Sequence, residues 1–152
     1  MRKMSCNQAA DPSQARRQSR TVQDNALQSP FRVSVIDDDE SVRVASSSLL
    51  RSLGWEVSLY SSAEAFLDAD PLDGLACIIT DLDMPGMSGL QLQQRLRELK
   101  PDVPVMFITA FASDAARRQA LDGGAVCFLS KPVDGTAVAD CLERIKQGFW
   151  KD

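Results

Sequence analysis

The chain has 152 residues, of which 44% are hydrophobic and 25% charged, as expected of one ordinary globular domain. It contains no histidine, which excludes Ser-His-Asp and Cys-His catalysis, histidine-ligated zinc or haem, and any role as a phosphohistidine carrier. Residues 1–30 have five basic and two acidic side chains, a net charge of +3, whereas the remainder has 12 basic and 19 acidic, a net charge of −7. An acidic folded part argues against direct binding of nucleic acid.

The first 30 residues lack apolar periodicity and are rich in Gln, Ser, Ala and Arg. Such a segment cannot bury enough apolar surface to offset its ordering entropy, so we expect a disordered tail over residues 1–30 and one domain over 31–150. No apolar run follows the basic start as in a signal peptide, and none approaches the ~20 residues of a membrane span. The sequence therefore predicts no membrane association.

The cysteines are widely spaced and form no C-x-x-C motif: Cys6, Cys77, Cys127 and Cys141. This spacing disfavours a zinc or redox site and favours isolated, reduced thiols in a cytoplasmic protein.

From Phe31 onward, short apolar runs alternate with amphipathic ones. The predicted strands are Arg32–Ile36, Glu56–Tyr60, Ala76–Thr80, Val103–Ile108 and Val126–Leu129. Four of them are apolar enough to be buried on both faces, whereas the second alternates like an edge strand. Strands alternating with helices predict an α/β fold: a flavodoxin-like, doubly wound parallel sheet of five strands in the order 2-1-3-4-5, with helices on both faces.

The amphipathic runs predict five helices, three of which have clear apolar stripes. The stripes are Val42, Ala45, Leu49 and Leu53 in the first helix, Leu92, Leu96 and Leu99 in the third, and Val138, Cys141, Leu142, Ile145 and Phe149 in the fifth. Ser61 and Glu64 form an S-x-x-E capping-box pattern for the second helix. Pro101 is expected to end the third helix, Ser113 or Asp114 to cap the fourth, and Gly123-Gly124 to close it.

Polar side chains follow four of the predicted strands. Acidic residues come after the first and third strands (Asp37, Asp38 and Asp81), Thr109 after the fourth, and Lys131 after the fifth. The carboxyl ends of parallel strands form one edge of a sheet, so we expect these groups to face one another. Crowded carboxylates suit Mg²⁺, which prefers oxygen ligands, and an adjacent lysine and hydroxyl can bind phosphate oxygens. Asp81 is the candidate nucleophile, since an aspartate can form an acyl phosphate.

Four segments in this order resemble the signature of response-regulator receiver domains, the phosphoacceptor modules of two-component signalling. They are residues 33–40, 78–89, 105–111 and 125–133. The resemblance spans about residues 31–149 and is nearest to receivers of the nitrogen-fixation regulator type. It implies a protein that takes a phosphoryl group from the phosphohistidine of a partner kinase and signals through a conformational switch, and that is not an enzyme acting on separate substrates.

Roles follow from the resemblance residue by residue. Asp81 resembles the phosphorylated aspartate. Asp37, Asp38 and the backbone carbonyl of Asp83 resemble, with Asp81, the Mg²⁺ ligands. Thr109 and Lys131 resemble the switch hydroxyl and the phosphate-contacting lysine, Phe128 the aromatic that changes rotamer, and Pro132 the proline after a cis peptide bond.

The resemblance also implies partners: a sensor histidine kinase or phosphotransfer protein, and a target or second copy bound through the fourth helix, fifth strand and fifth helix. Two residues depart from the family pattern, since Asp83 is more often Arg or Asn and Phe111 is more often small or polar; both positions affect the lifetime of the acyl phosphate. Only Lys151 and Asp152 follow the last helix, so a stand-alone receiver, or one excised from a longer transcription factor, is expected.

Two other classes of function remain as alternatives. Asp81-Leu82-Asp83 is similar to the D-x-D of aspartate-nucleophile phosphatases, although Pro85 stands where these have Thr or Val and no residues remain for a cap domain. A flavin-binding electron carrier would need a phosphate-binding loop after the first strand, where four acidic residues stand and would repel the phosphate.

Overall fold

The computed structural model describes residues 31–148, in which five strands alternate with five helices. The strands are β1 (Arg32–Ile36), β2 (Glu56–Tyr60), β3 (Leu75–Thr80), β4 (Val105–Thr109) and β5 (Cys127–Ser130). The helices are α1 (Glu40–Ser52), α2 (Ala63–Ala69), α3 (Gly89–Leu99), α4 (Asp114–Asp122) and α5 (Gly135–Gln147). The tail expected over residues 1–30 lies outside the described residues.

All neighbouring strands are parallel, and their order is β2-β1-β3-β4-β5. The predicted fold class and strand order are therefore confirmed. Alternate side chains of β1 enter different cores: Val33 and Val35 pack with residues of α1 and α5, and Ile36 packs with residues of α2, α3 and α4. The sheet is thus covered by helices on both faces, and the carboxyl ends of its strands, which are followed by polar residues, lie at one edge.

The first two predicted strands have the observed bounds, whereas the other three differ by one or two residues. The fourth strand begins at Val105 and not at Val103. Pro104 has no N–H to donate to a neighbouring strand, so a regular ladder begins only after it.

Two of the predicted helix stripes face the core only in part. In α1 the fully buried residue is Leu50, while Val42 and Leu49 are half-buried and Ala45 is exposed. In α3, Leu92 and Leu96 are buried, but Leu99 in the last turn is 49% exposed. The stripe of α5 is buried at its first four predicted positions, and Phe149 lies outside the described residues.

The capping box predicted from Ser61 and Glu64 is wrong. Ser62 caps α2, and its hydroxyl accepts a hydrogen bond from the backbone N–H of Ala65. Glu64 instead accepts a hydrogen bond from the backbone N–H of Met87 at 2.8 Å, in the loop that follows β3. The acidic side chain therefore anchors a loop beside the strand ends and not its own helix.

Two cysteines are paired, contrary to the expectation of isolated thiols. A disulfide joins Cys127, the first residue of β5, to Cys141 in α5, with the two Cα atoms 6.6 Å apart. Cys77 is a free thiol in the core with no exposed surface, as expected of a small apolar residue. None of the helices in the described part of the chain combines the length and hydropathy needed to cross a bilayer.

A buried carboxylate joins β1, β2 and the end of α2. The side chain of Asp70 has no exposed surface and pairs in bidentate fashion with the guanidinium of Arg32, with both N–O distances 3.1 Å. It also accepts hydrogen bonds from the hydroxyls of Ser34 and Tyr60 and from the backbone N–H of Leu72. Burial opposes the charge, but these hydrogen bonds outweigh it and hold the pKa of Asp70 below its ordinary value.

We predict that Asp70→Asn destabilises the domain at pH 7 by about 2–4 kcal/mol, because it leaves a largely buried guanidinium without its counter-charge. The folded-state pKa of Asp70 is lowered, so its carboxylate contributes fully to the free energy of unfolding above the unfolded-state pKa. This contribution disappears as pH falls through the folded-state pKa. The difference in unfolding free energy between wild type and Asp70→Asn should therefore narrow below about pH 4.

Urea unfolding at several pH values measures this gap. The matched control is Asp73→Asn, because the Asp73 side chain is 92% exposed and its carboxylate pairs only loosely with the Lys100 ammonium, over 3.9 Å. The variant keeps the backbone oxygen of residue 73 to which Arg32 donates. Its effect should stay below about 0.5 kcal/mol. Equal losses in the two variants would contradict the assignment.

Candidate functional site

The site residues are positioned by backbone hydrogen bonds that extend the sheet beyond its strands. The backbone N–H of Asp37 donates to β2, that of Asp81 donates to β1, and that of Lys131 donates to β4, over N–O distances of 2.8 to 3.1 Å. Each residue thus begins a loop at a fixed point on the carboxyl edge. The sequence predicted that these three residues would converge, and the structure brings them together.

The Lys131 ammonium lies between the two buried carboxylates. Its Nζ is 2.8 Å from Oδ2 of Asp37 and 3.0 Å from Oδ2 of Asp81. The carboxylate side chains are 5% and 9% exposed and that of the lysine 18%, so water screens these ion pairs little. Burial opposes the charge on Lys131, but the hydrogen bonds with Asp37 and Asp81 outweigh it and raise its pKa above the ordinary value.

The other oxygen of each carboxylate is held by backbone N–H groups. Oδ1 of Asp37 accepts from the N–H of Asp39 at 3.0 Å. Oδ1 of Asp81 accepts from the N–H groups of Leu82 and Asp83, at 2.6 and 3.3 Å. Because one oxygen is fixed by the loop and the other by Lys131, both side chains are restrained in orientation before any ligand arrives.

A third carboxylate completes an acidic pocket. Oxygens of Asp37, Asp38 and Asp81 lie within 4.8 Å of one another, and Asp38 is exposed. Asp39, the next residue, instead caps α1, and its carboxylate accepts from the N–H and hydroxyl of Ser41, which hold its pKa below the ordinary value. An oxygen-only donor set with one solvent-facing member fits a small, hard divalent cation that keeps part of its water.

The remaining predicted residues lie on the same edge or directly beneath it. Thr109 is fully buried, and its hydroxyl oxygen accepts from the backbone N–H of Phe111 at 3.2 Å. The side chain of Asp83 is exposed. The Lys131–Pro132 peptide bond is cis.

Phe128 is buried in β5, with its ring centroid 6.2 Å from that of Phe107 and 5.9 Å from the guanidinium carbon of Arg117. The same guanidinium donates to the backbone oxygen of Phe128 at 3.2 Å. The aromatic side chain is therefore held between β4 and α4.

A cavity of about 310 Å³ opens beside the acidic pocket. Its walls include the half-covered stripe of α1 and the segment after β5, with Val42, Leu49, Pro132 and Val133 among the lining residues, and its lining includes Asp37, Asp81 and Lys131. The α1 stripe predicted to be core thus borders an apolar cleft next to the charged site.

Two further residues shape the loop around Asp81. A Cβ at position 89 would collide with the backbone oxygen of Asp81, so only glycine allows α3 to begin so close to the site. Glu64 fixes the same loop through Met87, as described above. The S-x-x-E pattern predicted a helix-capping role for Glu64, because sequence spacing alone does not show that a distant loop lies beside this side chain.

Comparison with known proteins agrees with this architecture. Residues 33–143 match the model of the response regulator receiver domain. The chain belongs to this family.

The curated relatives of this receiver domain include transcriptional regulators. It is 35% identical over 117 residues to the transcriptional regulatory protein FixJ of Rhizobium meliloti, covering 77% of this chain and 57% of that one. It is 43% identical over 107 residues to FixJ of Azorhizobium caulinodans, covering 70% and 50% respectively. The receiver therefore spans about half the length of the curated relatives it matches, and its resemblance to the nitrogen-fixation regulator type is confirmed.

Solved structures agree in fold. The crystal structure of FixJ-N superposes with a TM-score of 0.71 at 34% identity, covering 79% of this chain and 96% of that one. A receiver domain protein from Clostridium thermocellum gives a TM-score of 0.74 at 24% identity over 78% and 96% of the chains, which supports the fold alone. Family membership makes this chain a phosphoacceptor signalling domain and argues against both the phosphatase and the flavin-carrier alternatives.

We predict that Lys131→Met destabilises the domain on the order of 2 kcal/mol, because two largely buried carboxylates lose their shared cation. Adding Asp81→Asn should restore part of that loss, since it removes one of two repelling charges. In the wild-type background, Asp81→Asn removes an ion pair and gives no such gain.

This double-mutant cycle is measured by urea unfolding in EDTA. Lys100→Met is the control, as Lys100 pairs only with the exposed Asp73 carboxylate among the described residues. If Asp81→Asn has the same effect in both backgrounds, the Lys131 ammonium does not interact energetically with the Asp81 carboxylate.

Proposed function

We propose that Asp81 accepts a phosphoryl group from the phosphohistidine of a partner kinase or phosphotransfer protein. A carboxylate oxygen of Asp81 forms the bond to phosphorus as the bond from phosphorus to the histidine nitrogen breaks, which leaves an acyl phosphate on this chain. Water later cleaves that acyl phosphate. The observation that carries the proposal is the Lys131 ammonium hydrogen-bonded to Asp81 and Asp37 at the carboxyl edge of the sheet.

Lys131 has a role both before and after transfer. In the unmodified protein its ammonium offsets the repulsion between the carboxylates of Asp37 and Asp81 and holds Oδ2 of Asp81 by a hydrogen bond. Once the phosphoryl group is present, the ammonium can contact one of its oxygens in place of a carboxylate oxygen. Phosphoryl transfer needs chiefly positioning and charge neutralisation, and both are available at this site.

Thr109 supplies the second contact to the phosphoryl group in this proposal. Its oxygen already accepts from the N–H of Phe111, which leaves the hydroxyl proton free to donate. The contacts made by Thr109 and Lys131 would favour one arrangement of β4 and β5, and thereby of Phe128 between them. The face formed by α4, β5 and α5 would then bind a target or a second copy of the chain.

The acidic pocket would hold Mg²⁺ through Asp37, Asp38, Asp81 and the backbone carbonyl of Asp83. When bound, the ion supplies positive charge to the phosphoryl oxygens during transfer. The donor set supports this assignment, since it contains only oxygen and includes the exposed Asp38. We also propose that the protein is cytoplasmic and binds neither membranes nor nucleic acid.

Asp81 is expected to be the only phosphorylated residue, and its modification is expected to require Mg²⁺. Incubation with a small phosphodonor such as acetyl phosphate, followed by intact mass measurement, should show one added phosphoryl group with Mg²⁺ and none with EDTA. Asp81→Asn should abolish the gain. Asp83→Asn, a change of an exposed side chain two residues away, should retain it. A gain by Asp81→Asn equal to that of wild type would falsify the assignment.

Asp38 is expected to contribute more to metal binding than its neighbour. Asp38→Asn should weaken Mg²⁺ binding about tenfold or more, whereas Asp39→Asn should leave the affinity within about threefold, because asparagine also caps a helix and Asp39 is engaged with Ser41. Isothermal calorimetry with MgCl₂ measures both affinities. Equal losses would show that the neighbouring carboxylate had been chosen wrongly.

A further inference from the structure

A second chemical site lies at the other end of β5 from Lys131. Cys127 begins that strand, and its disulfide partner Cys141 lies 14 residues later in α5. Both cysteines are largely buried, at 6% and 7% exposure, within the core cluster shared by β5 and α5. The bond is thus the covalent link between a sheet strand and the helix that covers it.

The guanidinium of an exposed arginine contacts both sulfurs. The Nη2 atom of Arg144 is 2.9 Å from Sγ of Cys127 and 3.7 Å from Sγ of Cys141, and the residue itself is exposed. A guanidinium beside a sulfur favours the thiolate, which is the form that attacks disulfides. The sulfurs therefore have a charged and exposed neighbour at the protein surface, although both cysteines are largely buried.

The third cysteine among the described residues has no such surroundings. Cys77 is fully buried, and burial raises the pKa of its thiol far above the ordinary range. Among residues 31–148 no cation is recorded in contact with its sulfur, which donates weakly to the backbone oxygen of Ile78. The surroundings of the pair are therefore distinct from those of an inert core thiol.

We propose that Cys127 and Cys141 form a reversible redox-modification site that exchanges with small disulfides of the glutathione class. In the oxidising direction, the Cys127 thiolate attacks one sulfur of the small disulfide, forms a mixed disulfide and releases one small thiol. The Cys141 thiolate then attacks Sγ of Cys127 and releases the second. The protein gives up two electrons, the small disulfide is reduced by two, and the two thiol protons end on the two released thiols.

The inference is independent of phosphoryl acceptance by Asp81. It adds to the receiver a covalent restraint between β5 and α5 that depends on the thiol–disulfide balance of the surroundings.

The test is a redox titration of the wild-type chain. Protein reduced with dithiothreitol is equilibrated with mixtures of reduced and oxidised glutathione, acid-quenched, alkylated in denaturant and digested with trypsin. Both cysteines fall in peptide 119–144, because trypsin does not cut between Lys131 and Pro132, whereas Cys77 falls in peptide 52–95.

Peptide 119–144 should pass from two alkyl labels to none, with a loss of two hydrogens, and dithiothreitol should restore both labels. Peptide 52–95 should keep its one label throughout. Two persistent labels on peptide 119–144 under excess oxidised glutathione, or stable glutathione adducts in place of the internal bond, would overturn the proposal.

Variants of Arg144 test the mechanism of exchange. Arg144→Gln should slow oxidation roughly threefold, because loss of the guanidinium lowers the thiolate fraction, while the remaining thiolate is more nucleophilic. Arg144→Lys should restore much of the rate. Arg97→Gln, an exposed change on α3, should not alter it. If the glutamine variants at positions 144 and 97 react at the same rate, Arg144 does not activate the pair.

Discussion

The site depends on one ammonium group shared by two buried carboxylates. Lys131 is 94 residues from Asp37 and 50 from Asp81 in sequence, so the contact forms only when β1, β3 and β5 are assembled in one sheet. Without a cation, the two carboxylates would repel each other in a poorly screened environment. The ion pairs of Lys131 therefore hold together the edge of the sheet at which we propose that Asp81 accepts a phosphoryl group.

Charge in β1 and its following loop is divided between a structural network and the site. Arg32 and Ser34 at the start of the strand contact the fully buried Asp70, whose hydrogen bonds are all satisfied within the fold. Asp37 after its end shares its cation with Asp81 and lies beside the exposed Asp38. The Asp70 carboxylate is fully buried, and both of its oxygens accept hydrogen bonds within the fold, so we assign the first network to stability. The second network includes the exposed carboxylate of Asp38, which can bind an incoming cation.

The strand order and the convergence of Asp37, Asp81 and Lys131 could be predicted because they follow from apolar runs and from the geometry of parallel strands. The predictions that failed depended on which residues become neighbours in the folded structure. Ser61 and Ser62 are adjacent and both polar, so the sequence could not decide which caps α2, nor that Glu64 would bind the loop at Met87. The pairing of Cys127 with Cys141 depends on how α5 packs on β5, and the sequence spacing of the two cysteines does not indicate that packing.

Lys131 and the Cys127–Cys141 disulfide lie at the two ends of the short strand β5. The strand comprises only Cys127–Ser130, with Phe128 in its interior and Lys131 immediately after it. Any movement of Lys131 towards a phosphoryl group would act on a strand whose first residue is tied to α5 when the disulfide is present. The disulfide lies at the opposite end from the carboxylates and touches none of the residues of the acidic pocket among its recorded contacts. Oxidation would therefore leave the pocket itself intact and restrain instead the packing of α5 on the sheet, which is the part of the molecule through which phosphorylation of Asp81 would be communicated.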